Sequence, residues 1–327
     1  MVNTGDIDKK LLNLIQSEFP LVSEPYRALG EKLGIGEDEV ISRIKELKSS
    51  GLVRQISPVF DPRRLGYRST LVAMETPKAQ LEKAEQFLID HPGVSHGYER
   101  DNKFNLWFTL AIAPDKEIAD ELTKLLNNTG IESVIALPAT RLFKIGTYFA
   151  SDEEVQATTT AMQFDGDLPE KADLTRLDKK VINGLQLDLP LVSKPFEVIA
   201  ARLGLSEAVL LKECQILLDR GIIRRFSASV NHRRVGYTAN GMTCWSVPSA
   251  KVDEAGKKIA ALPEVSHCYE RQTNGPWSYN LFAMIHARDE ATCRKIAEEA
   301  SRETGLSDHI VLFSTKEFKK TRIKYPV

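Results

Sequence analysis

Two short segments of the chain carry a histidine, a tyrosine and an arginine at alternate positions. The segments read SHGYER and SHCYER, and the two triplets are His96, Tyr98 and Arg100, and His267, Tyr269 and Arg271. Side chains at alternate positions of a β-strand point to the same face. A sheet face with an imidazole, a phenol and a guanidinium is costly as plain core but useful for acid–base catalysis. The candidate catalytic residues are therefore His267, Tyr269, Arg271 and His96.

Arginines also cluster at equivalent places elsewhere in the two halves of the chain, in the segments IRRFSASV, RRLGY and RRVGY. Several guanidinium groups together indicate a ligand with many carboxylates. The alternative for any single arginine is that it caps carbonyls or pairs with Asp or Glu. Trp277 and Tyr279 form an aromatic group that could stack on a flat ligand. The candidate ligand-binding residues are Arg63, Arg64, Tyr98, Arg100, Arg225, His232, Arg233, Arg234, Trp277, Tyr279 and Asn280.

The balance of charge gives no global attraction to nucleic acid or to an anionic membrane. Lys and Arg number 44 against 45 Asp and Glu, for a net charge of -1, so any anion site must be local. The N-terminal sequence has no signal pattern and no apolar run is long enough to span a membrane. The 4 cysteines lack the spacing of metal or redox sites. We expect a cytoplasmic protein with no metal site of its own and no membrane association.

An internal repeat organises the chain. Residues 8–67 align with residues 178–237 without a gap, and FPLVSEP and RRLGY recur as LPLVSKP and RRVGY. Further along, FNLWF matches YNLFA, with extra residues of the second copy in QTNGPWSYN. The chain is therefore two copies of one module, which form a pseudo-symmetric dimer within a single chain. Further association of such chains is open.

Each copy begins with three short helices that predict a helix-turn-helix. Ser23 and Ser193 are expected to cap the second helix, because a proline follows two residues later. The next segment, VRQISPVF or IRRFSASV, fits a wing strand. Copy one then has predicted strands 66–76, 94–100, 104–113 and 131–144 and predicted helices 78–90 and 115–127. This order, βαββαβ, is ferredoxin-like.

We therefore predict an α+β protein with two tandem modules, each a winged helix-turn-helix followed by a ferredoxin-like βαββαβ domain. The predicted winged domains are residues 1–62 and 175–232, and the predicted ferredoxin-like domains are residues 63–149 and 233–327. Residues 150–174 are polar, acidic and aperiodic, which predicts a linker between the modules.

A helix-turn-helix raises the question of DNA binding, which the charges oppose. A recognition helix needs basic and small polar residues near its N-terminus. The third helix of copy one instead begins with Glu37, Asp38 and Glu39, which would repel phosphates. The equivalent helix of copy two is largely apolar, so both helices fit better as packing elements. We expect no DNA binding.

The Lrp/AsnC-like module, the wing sequence IRRFSASVNHRRVGY, the HGYER or HCYER strand and the segments FNLWFTL and WSYNLFAMIH together resemble the siroheme decarboxylase family. Members of this family usually consist of two related subunits, which residues 1–150 and 175–327 resemble in fused form. The resemblance implies loss of carbon dioxide from two acetate side chains of siroheme, giving 12,18-didecarboxysiroheme on a route to haem or to nitrite-reductase haem. It implies no cofactor, because the iron belongs to the substrate and the macrocycle accepts the electrons.

The resemblance also suggests roles for the candidate residues. Protonation of a pyrrole ring carbon next to the acetate would create a cation into which the carbon–carbon bonding electrons collapse. His267 is the candidate proton donor, and Tyr269 would orient it or the acetate. The arginines that would hold carboxylates are Arg271, Arg233, Arg234 and Arg225. Their counterparts in copy one are His96, Tyr98, Arg100, Arg63 and Arg64. These residues form either a second active site or a structural relic of the duplication, and the sequence leaves both open. Either imidazole could also be an axial ligand of the iron.

Copy two is favoured for catalysis, because copy one has Pro62 where copy two has His232 and lacks the insertion with Trp277 and Tyr279. Two other functions are compatible with the sequence. One is an Lrp/AsnC-type regulator that responds to a ligand and binds DNA. The other is a tetrapyrrole carrier without catalysis.

Overall fold

The computed structural model describes residues 5–17, 19–145, 170–230, 239–273 and 275–327. The elements of the first module are α1 (Asp6–Ser17), α2 (Pro25–Leu33), α3 (Glu37–Ser49), β1 (Val53–Phe60), β2 (Arg68–Glu75), α4 (Leu81–Asp90), β3 (Val94–Arg100), β4 (Leu106–Ile112), α5 (Ile118–Thr129) and β5 (Ser133–Ile145). The elements of the second module are α6 (Arg176–Leu185), α7 (Pro195–Arg202), α8 (Glu207–Asp219), β6 (Ile223–Val230), β7 (Ala239–Trp245), α9 (Val252–Ala261), β8 (Val265–Arg271), β9 (Leu281–Ala287), α10 (Glu290–Thr304) and β10 (His309–Lys320).

The predicted α+β fold with two repeated modules is confirmed. Three helices and a wing strand begin each module, and a βαββαβ unit follows. Within the first unit the strand order is β3-β4-β2-β5, and within the second it is β8-β9-β7-β10, which is the ferredoxin-like order. Most of the predicted linker, residues 150–169, lies outside the described residues. Where the described chain resumes, the backbone N–H of Ala172 donates to the carbonyl of Arg64 over 2.8 Å.

The helical parts of the two modules share one apolar core. On α1, Leu11 and Ile15 are four residues apart and face inward, and on α6 the pair Val181 and Leu185 does the same. These side chains belong to one buried cluster. The wings add to the union, because β1 and β6 pair with each other as an antiparallel two-stranded sheet. Neither helix-turn-helix is therefore an independent unit.

The two sheets join into a closed barrel. The first part of β5, Ser133–Pro138, pairs with β2 of its own module, whereas Ala139–Ile145 pairs with β8 of the other module. Strand β10 crosses in the same way, from β7 to β3. The ring is β10-β3-β4-β2-β5-β8-β9-β7, which leaves no edge strand in the barrel. The sequence did not predict this closure.

The expected helix caps were wrong. The N-cap residues of α2 and α7 are Glu24 and Lys194, directly before the prolines. Ser23 instead donates its hydroxyl to Glu207 over 2.8 Å, and Ser193 donates to Glu37 over 3.1 Å.

Glu207 and Glu37 are the first residues of α8 and α3, the third helix of each helix-turn-helix. The N-terminus of each third helix therefore contacts the other module. Three acidic residues, Glu37, Asp38 and Glu39, occupy the first turn of α3. The contacts agree with the expectation that these helices pack within the protein.

Among the described residues, no helix is both long enough and apolar enough to cross a membrane.

Candidate active site

A cavity of about 570 Å³ lies between the barrel and the paired wings. Its walls come from both modules: Pro58 and Val59 from one wing, Arg225 from the other, and strands of both sheets. The segment after β10, residues 321–325, contributes a further wall. Trp107 and Phe282 are lining residues that also belong to the apolar core inside the barrel. A flat, partly apolar ligand with polar edges fits such a lining.

Both histidine triplets face this one cavity. The lining residues from the two triplets are His96, Tyr98, Arg100, His267, Tyr269 and Arg271. The intervening residues point away from it, as strand alternation predicts: Gly97 lies against Phe318, and the buried Cys268 approaches the carbonyl of Gly256 at 3.7 Å. The two triplets therefore line one shared cavity rather than two separate ones.

The arginine of each triplet is anchored to the other module. Arg100 donates to the carbonyl of Leu312 over 2.7 Å, and Arg271 donates to the carbonyl of Leu137 over 2.8 Å. The guanidinium of Arg271 also lies 4.8 Å from the ring centroid of Tyr269. Burial lowers the pKa of Arg271 to about 10, so it remains charged at neutral pH. Its Nε atom has no hydrogen-bond partner among the described residues, which leaves a donor for a ligand.

Burial keeps the cavity imidazoles neutral at pH 7. It lowers the pKa of His267 to about 3, with His286 as the next cause, and the pKa of His96 to about 4, with Lys320 as the next cause. Nδ1 of His96 lies 2.8 Å from the hydroxyl of Ser95, and Nδ1 of His267 lies 2.8 Å from that of Ser266. In each ring, Nδ1 is therefore held by a serine hydroxyl, and Nε2 is the nitrogen that can exchange a proton with a ligand.

The cavity is rich in positive charge. Its cationic lining side chains are Arg100, Arg224, Arg225, Arg271, Lys320 and Arg322. Across the described residues, no Asp or Glu contributes to the lining. Arg224 is neutralised from outside the cavity by Asp61 at 2.9 Å, whereas Arg225 contacts the hydroxyl of Ser227 at 3.4 Å. Grouped cations in a lining to which no carboxylate among the described residues contributes indicate a polyanionic ligand.

Arg322 is held in place by neutral oxygen atoms. Its guanidinium donates to the carbonyls of Ser57 and Pro58 on one wing, at 2.7 and 3.1 Å, and to the carbonyl of Ser227 on the other, at 3.0 Å. Burial, followed by the charge of Arg225, lowers its pKa to about 10. The positive charge is therefore fixed in the cavity wall by acceptors that do not neutralise it.

The structure does not bring the twin arginines of copy one to the cavity lining. Arg63 pairs with Asp61 at 3.3 Å. Arg64 donates to the carbonyls of Glu170 and Arg220, at 3.0 and 3.2 Å. The alternative of capping and pairing therefore describes both residues. The twin arginines of copy two, with their neighbour, lie outside the described residues: His232, Arg233 and Arg234.

The aromatic group of copy two packs with the apolar core of the barrel and does not line the cavity. Trp277 is 5 % exposed and packs against Trp107, with ring centroids 5.0 Å apart. Tyr279 packs against Trp277 at 5.3 Å. The amide of Asn280 pairs with the backbone of Val247, accepting at 2.8 Å and donating at 2.9 Å. These residues support the cavity floor from behind, so the predicted direct stacking on a ligand is not what the structure supports.

The sequence reasoning missed several cavity residues, among them His286, Lys320 and Arg322. Lys320 and Arg322 belong to the basic run KKTRIK at the end of the last strand, which was a usable signal. His286 was missed because comparison of the repeats ignores residues without a counterpart. The position equivalent to His286 in copy one is Ala111.

Two families match both modules. A family described as "AsnC-like ligand binding domain" matches residues 64–144 and 234–319. A family described as "Siroheme decarboxylase NirDL-like HTH domain" matches residues 8–54 and 178–224. The doubled matches agree with the internal repeat.

Similar proteins cover either the whole chain or half of it. A siroheme decarboxylase of Hydrogenobacter thermophilus is 42% identical over 325 residues, which are 98% of this chain and 95% of the relative. A siroheme decarboxylase beta subunit of Methanosarcina barkeri is 40% identical over 46% of this chain and 99% of its own length. A crystal structure of the siroheme decarboxylase NirDL in co-complex with an iron-uroporphyrin III analogue has a TM-score of 0.73 and 37% identity, and the match covers 98% of this chain and 95% of the other.

Proposed function

This chain belongs to the siroheme decarboxylase family, and we propose that it removes carbon dioxide from two acetate side chains of siroheme to give 12,18-didecarboxysiroheme. The observation that carries the proposal is the carboxylate-free, cation-rich lining of one cavity shared by both modules across the described residues. Siroheme is a flat iron macrocycle with many carboxylates. The similar protein that binds an iron-uroporphyrin III analogue accepts a ligand of the same kind.

In this proposal the cavity cations hold the side-chain carboxylates of the macrocycle. Arg225, Arg271 and Arg322 reach the cavity from the second wing, the second sheet and the C-terminal segment. Their positions would fix the edge of the macrocycle on several sides, since each guanidinium offers more than one donor. Trp107 and Phe282 would contact its apolar parts.

The reaction needs one proton for each carbon dioxide released. His267 would donate its Nε2 proton to the pyrrole ring carbon next to an acetate. The acetate carbon–carbon bond then breaks, and its electrons neutralise the cationic ring. Tyr269, whose ring is tilted by 13° from that of His267, would orient the imidazole. No other cofactor is required in this scheme, because the macrocycle itself takes the electrons.

His96 would act on the same bound molecule rather than at a separate site. It faces the cavity that also contains His267, with Tyr98 and Arg100 beside it on β3. We assign it to the second acetate, so that one bound macrocycle meets both imidazoles. The enzyme would then be a carboxy-lyase with one composite active site.

Anaerobic incubation of the purified protein with siroheme tests the proposal. Mass spectrometry should show two successive losses of the mass of carbon dioxide. Bound pigment without mass loss would identify a carrier instead. A gel shift with genomic fragments at stated salt concentrations tests the regulator alternative, and specific retardation would support it.

A further inference from the structure

A hydroxyl group links two histidines in the cavity wall. The Oγ atom of Ser266 lies 2.8 Å from Nδ1 of His267 and 2.8 Å from Nε2 of His286. The three residues come from β8 and β9, which are paired neighbours in the barrel, so the sheet register sets their spacing. All three line the cavity. The two imidazoles are therefore connected through a single hydroxyl.

The first module has only part of this arrangement. The hydroxyl of Ser95 lies 2.8 Å from Nδ1 of His96, as that of Ser266 does from His267. Ala111 stands where the second module has His286, so Ser95 has no imidazole at the equivalent position. In the part of the chain that the structure describes, the linked pair of histidines belongs to the second module alone.

The shared hydroxyl couples the protonation states of the two rings. A hydroxyl has one proton to donate, and its other acceptor, the carbonyl of Met284, is 3.5 Å away, so between the two imidazole nitrogens at 2.8 Å it donates to one and accepts from the other. When His286 carries a proton on Nε2, Ser266 accepts from it and donates to Nδ1 of His267. The proton of a neutral His267 then lies on Nε2, which is the form that can donate to a substrate. A charged His286 has a proton on both nitrogens and enforces this form.

We propose that His286, acting through Ser266, sets His267 as the proton donor and supplies the proton that the decarboxylation consumes. His286 is a positioning and relay residue, and this inference rests on the proposed function.

The protons balance along the chain of groups. His267 gives its Nε2 proton to the substrate ring carbon and receives the Ser266 hydroxyl proton on Nδ1. Ser266 receives the Nε2 proton of His286, which becomes neutral. Carbon dioxide leaves, and its bonding electrons pass to the ring. Once the ring-carbon proton has moved to the exocyclic carbon, the acetate has become a methyl group, with a net uptake of one proton from His286.

The charges around His286 couple this proton delivery to an occupied cavity. Burial, then Lys320 on β10 and Arg100 on β3, lower its pKa to about 4, and His267 on β8 faces it through Ser266. His286 is therefore neutral in the empty cavity at pH 7. Substrate carboxylates offset the positive charge of these cations and raise the pKa of His286, so His286 is protonated when substrate is bound.

Replacing His286 by glutamine tests the relay. The Gln amide can still donate to Ser266, but it cannot deliver a proton. We expect kcat of His286→Gln to fall at least about 100-fold with KM unchanged, because a positioned proton transfer typically contributes about 10²- to 10⁴-fold. The dependence of kcat on pH should also flatten on the alkaline side, where His286 loses its proton.

Two variants of Ser266 keep the test independent of His286. Ser266→Ala removes the bridging hydroxyl and should lower kcat in the same way. Ser266→Thr retains a hydroxyl, so its kcat should stay close to that of the wild type. His309→Gln is the matched control, since His309 also contacts a serine hydroxyl, that of Ser301 at 3.2 Å, but does not line the cavity. Wild-type kcat and pH profile in both His286→Gln and Ser266→Ala would overturn the relay.

A measurement without substrate separates this inference from the proposed function. In NMR spectra of protein labelled with nitrogen-15 in histidine, Ser266→Ala should change the side-chain nitrogen chemical shifts of both His267 and His286. Unchanged shifts would contradict the coupling even in an active enzyme. If the wild type releases no carbon dioxide from siroheme, the proposed function fails, whatever the coupling of the two rings.

Discussion

Arg100 on β3 donates a hydrogen bond over 2.7 Å to the carbonyl of Leu312, although the two residues belong to different modules. Arg271 repeats the contact in the opposite direction with Leu137, at 2.8 Å. Arg100 therefore also links its module to β10, and Arg271 links its module to β5, across the module boundary. The site and the closed barrel are built by the same side chains, so a change in one affects the other.

Arg271→Lys should weaken both the fold and the site. A lysine keeps the charge, but a single ammonium cannot reproduce the bond to Leu137 together with the contact to the ring of Tyr269. Leaving that carbonyl without its donor costs roughly 1–3 kcal/mol, so the melting temperature should fall. Pigment titration should show weaker binding as well. Arg68→Lys, at an exposed pair with Glu117, is the control and should change neither quantity.

His267→Gln should abolish turnover and leave pigment binding nearly intact. The imidazole is the proposed proton donor, whereas the carboxylates of the ligand are held by arginines. Mass spectrometry after anaerobic incubation measures turnover, and absorbance titration measures binding. His91→Gln serves as the comparison, because His91 pairs with Glu121 outside the cavity lining. Release of carbon dioxide at the wild-type rate would remove His267 from the mechanism.

The sequence was sufficient where local pattern decides structure. The alternation in SHGYER and SHCYER placed His96 and His267 on the cavity face, because strand geometry leaves only two faces. The repeat predicted both modules and the ferredoxin-like strand order. The pairing of strands from different modules could not be predicted in this way. The predicted strand 131–144 extends past what its own sheet needs, and only packing shows that its second half pairs with β8.

The misplaced residues share a physical cause. Arg64 and Trp277 have the residue types of a ligand site, but an arginine also caps carbonyls and a tryptophan also fills a barrel. Type and spacing do not distinguish these uses without the surrounding chain. Arg322 shows the reverse case: it lies in a segment without regular structure, and the carbonyls of both wings bring it to the cavity.

Arg322→Gln should weaken pigment binding without unfolding the protein. Glutamine can still donate to a wing carbonyl but removes a positive charge from the cavity wall. Since a hydrogen bond to a charged group contributes about 1.5–3 kcal/mol, the Kd should rise roughly 10- to 100-fold. The effect should shrink at high salt, because added ions screen the lost attraction. Titration at two salt concentrations checks this, and an unchanged Kd would place the ligand carboxylates elsewhere.

Ligand binding should be accompanied by proton uptake. In the empty cavity His267 is neutral, since burial first, and then His286, His96, Arg225 and Lys320, lower its pKa to about 3. Ligand carboxylates bring negative charge among these cations and raise the pKa of each imidazole, so the complex binds more protons than the free protein. Affinity should therefore increase as the pH falls from about 8 to about 6, as linkage requires.

Calorimetric titrations in two buffers with different ionisation enthalpies measure the uptake directly. His267→Gln should take up fewer protons than the wild type. Equal heats in both buffers would show that the imidazoles stay neutral in the complex, and His286 could not then be the source of the proton that the reaction consumes.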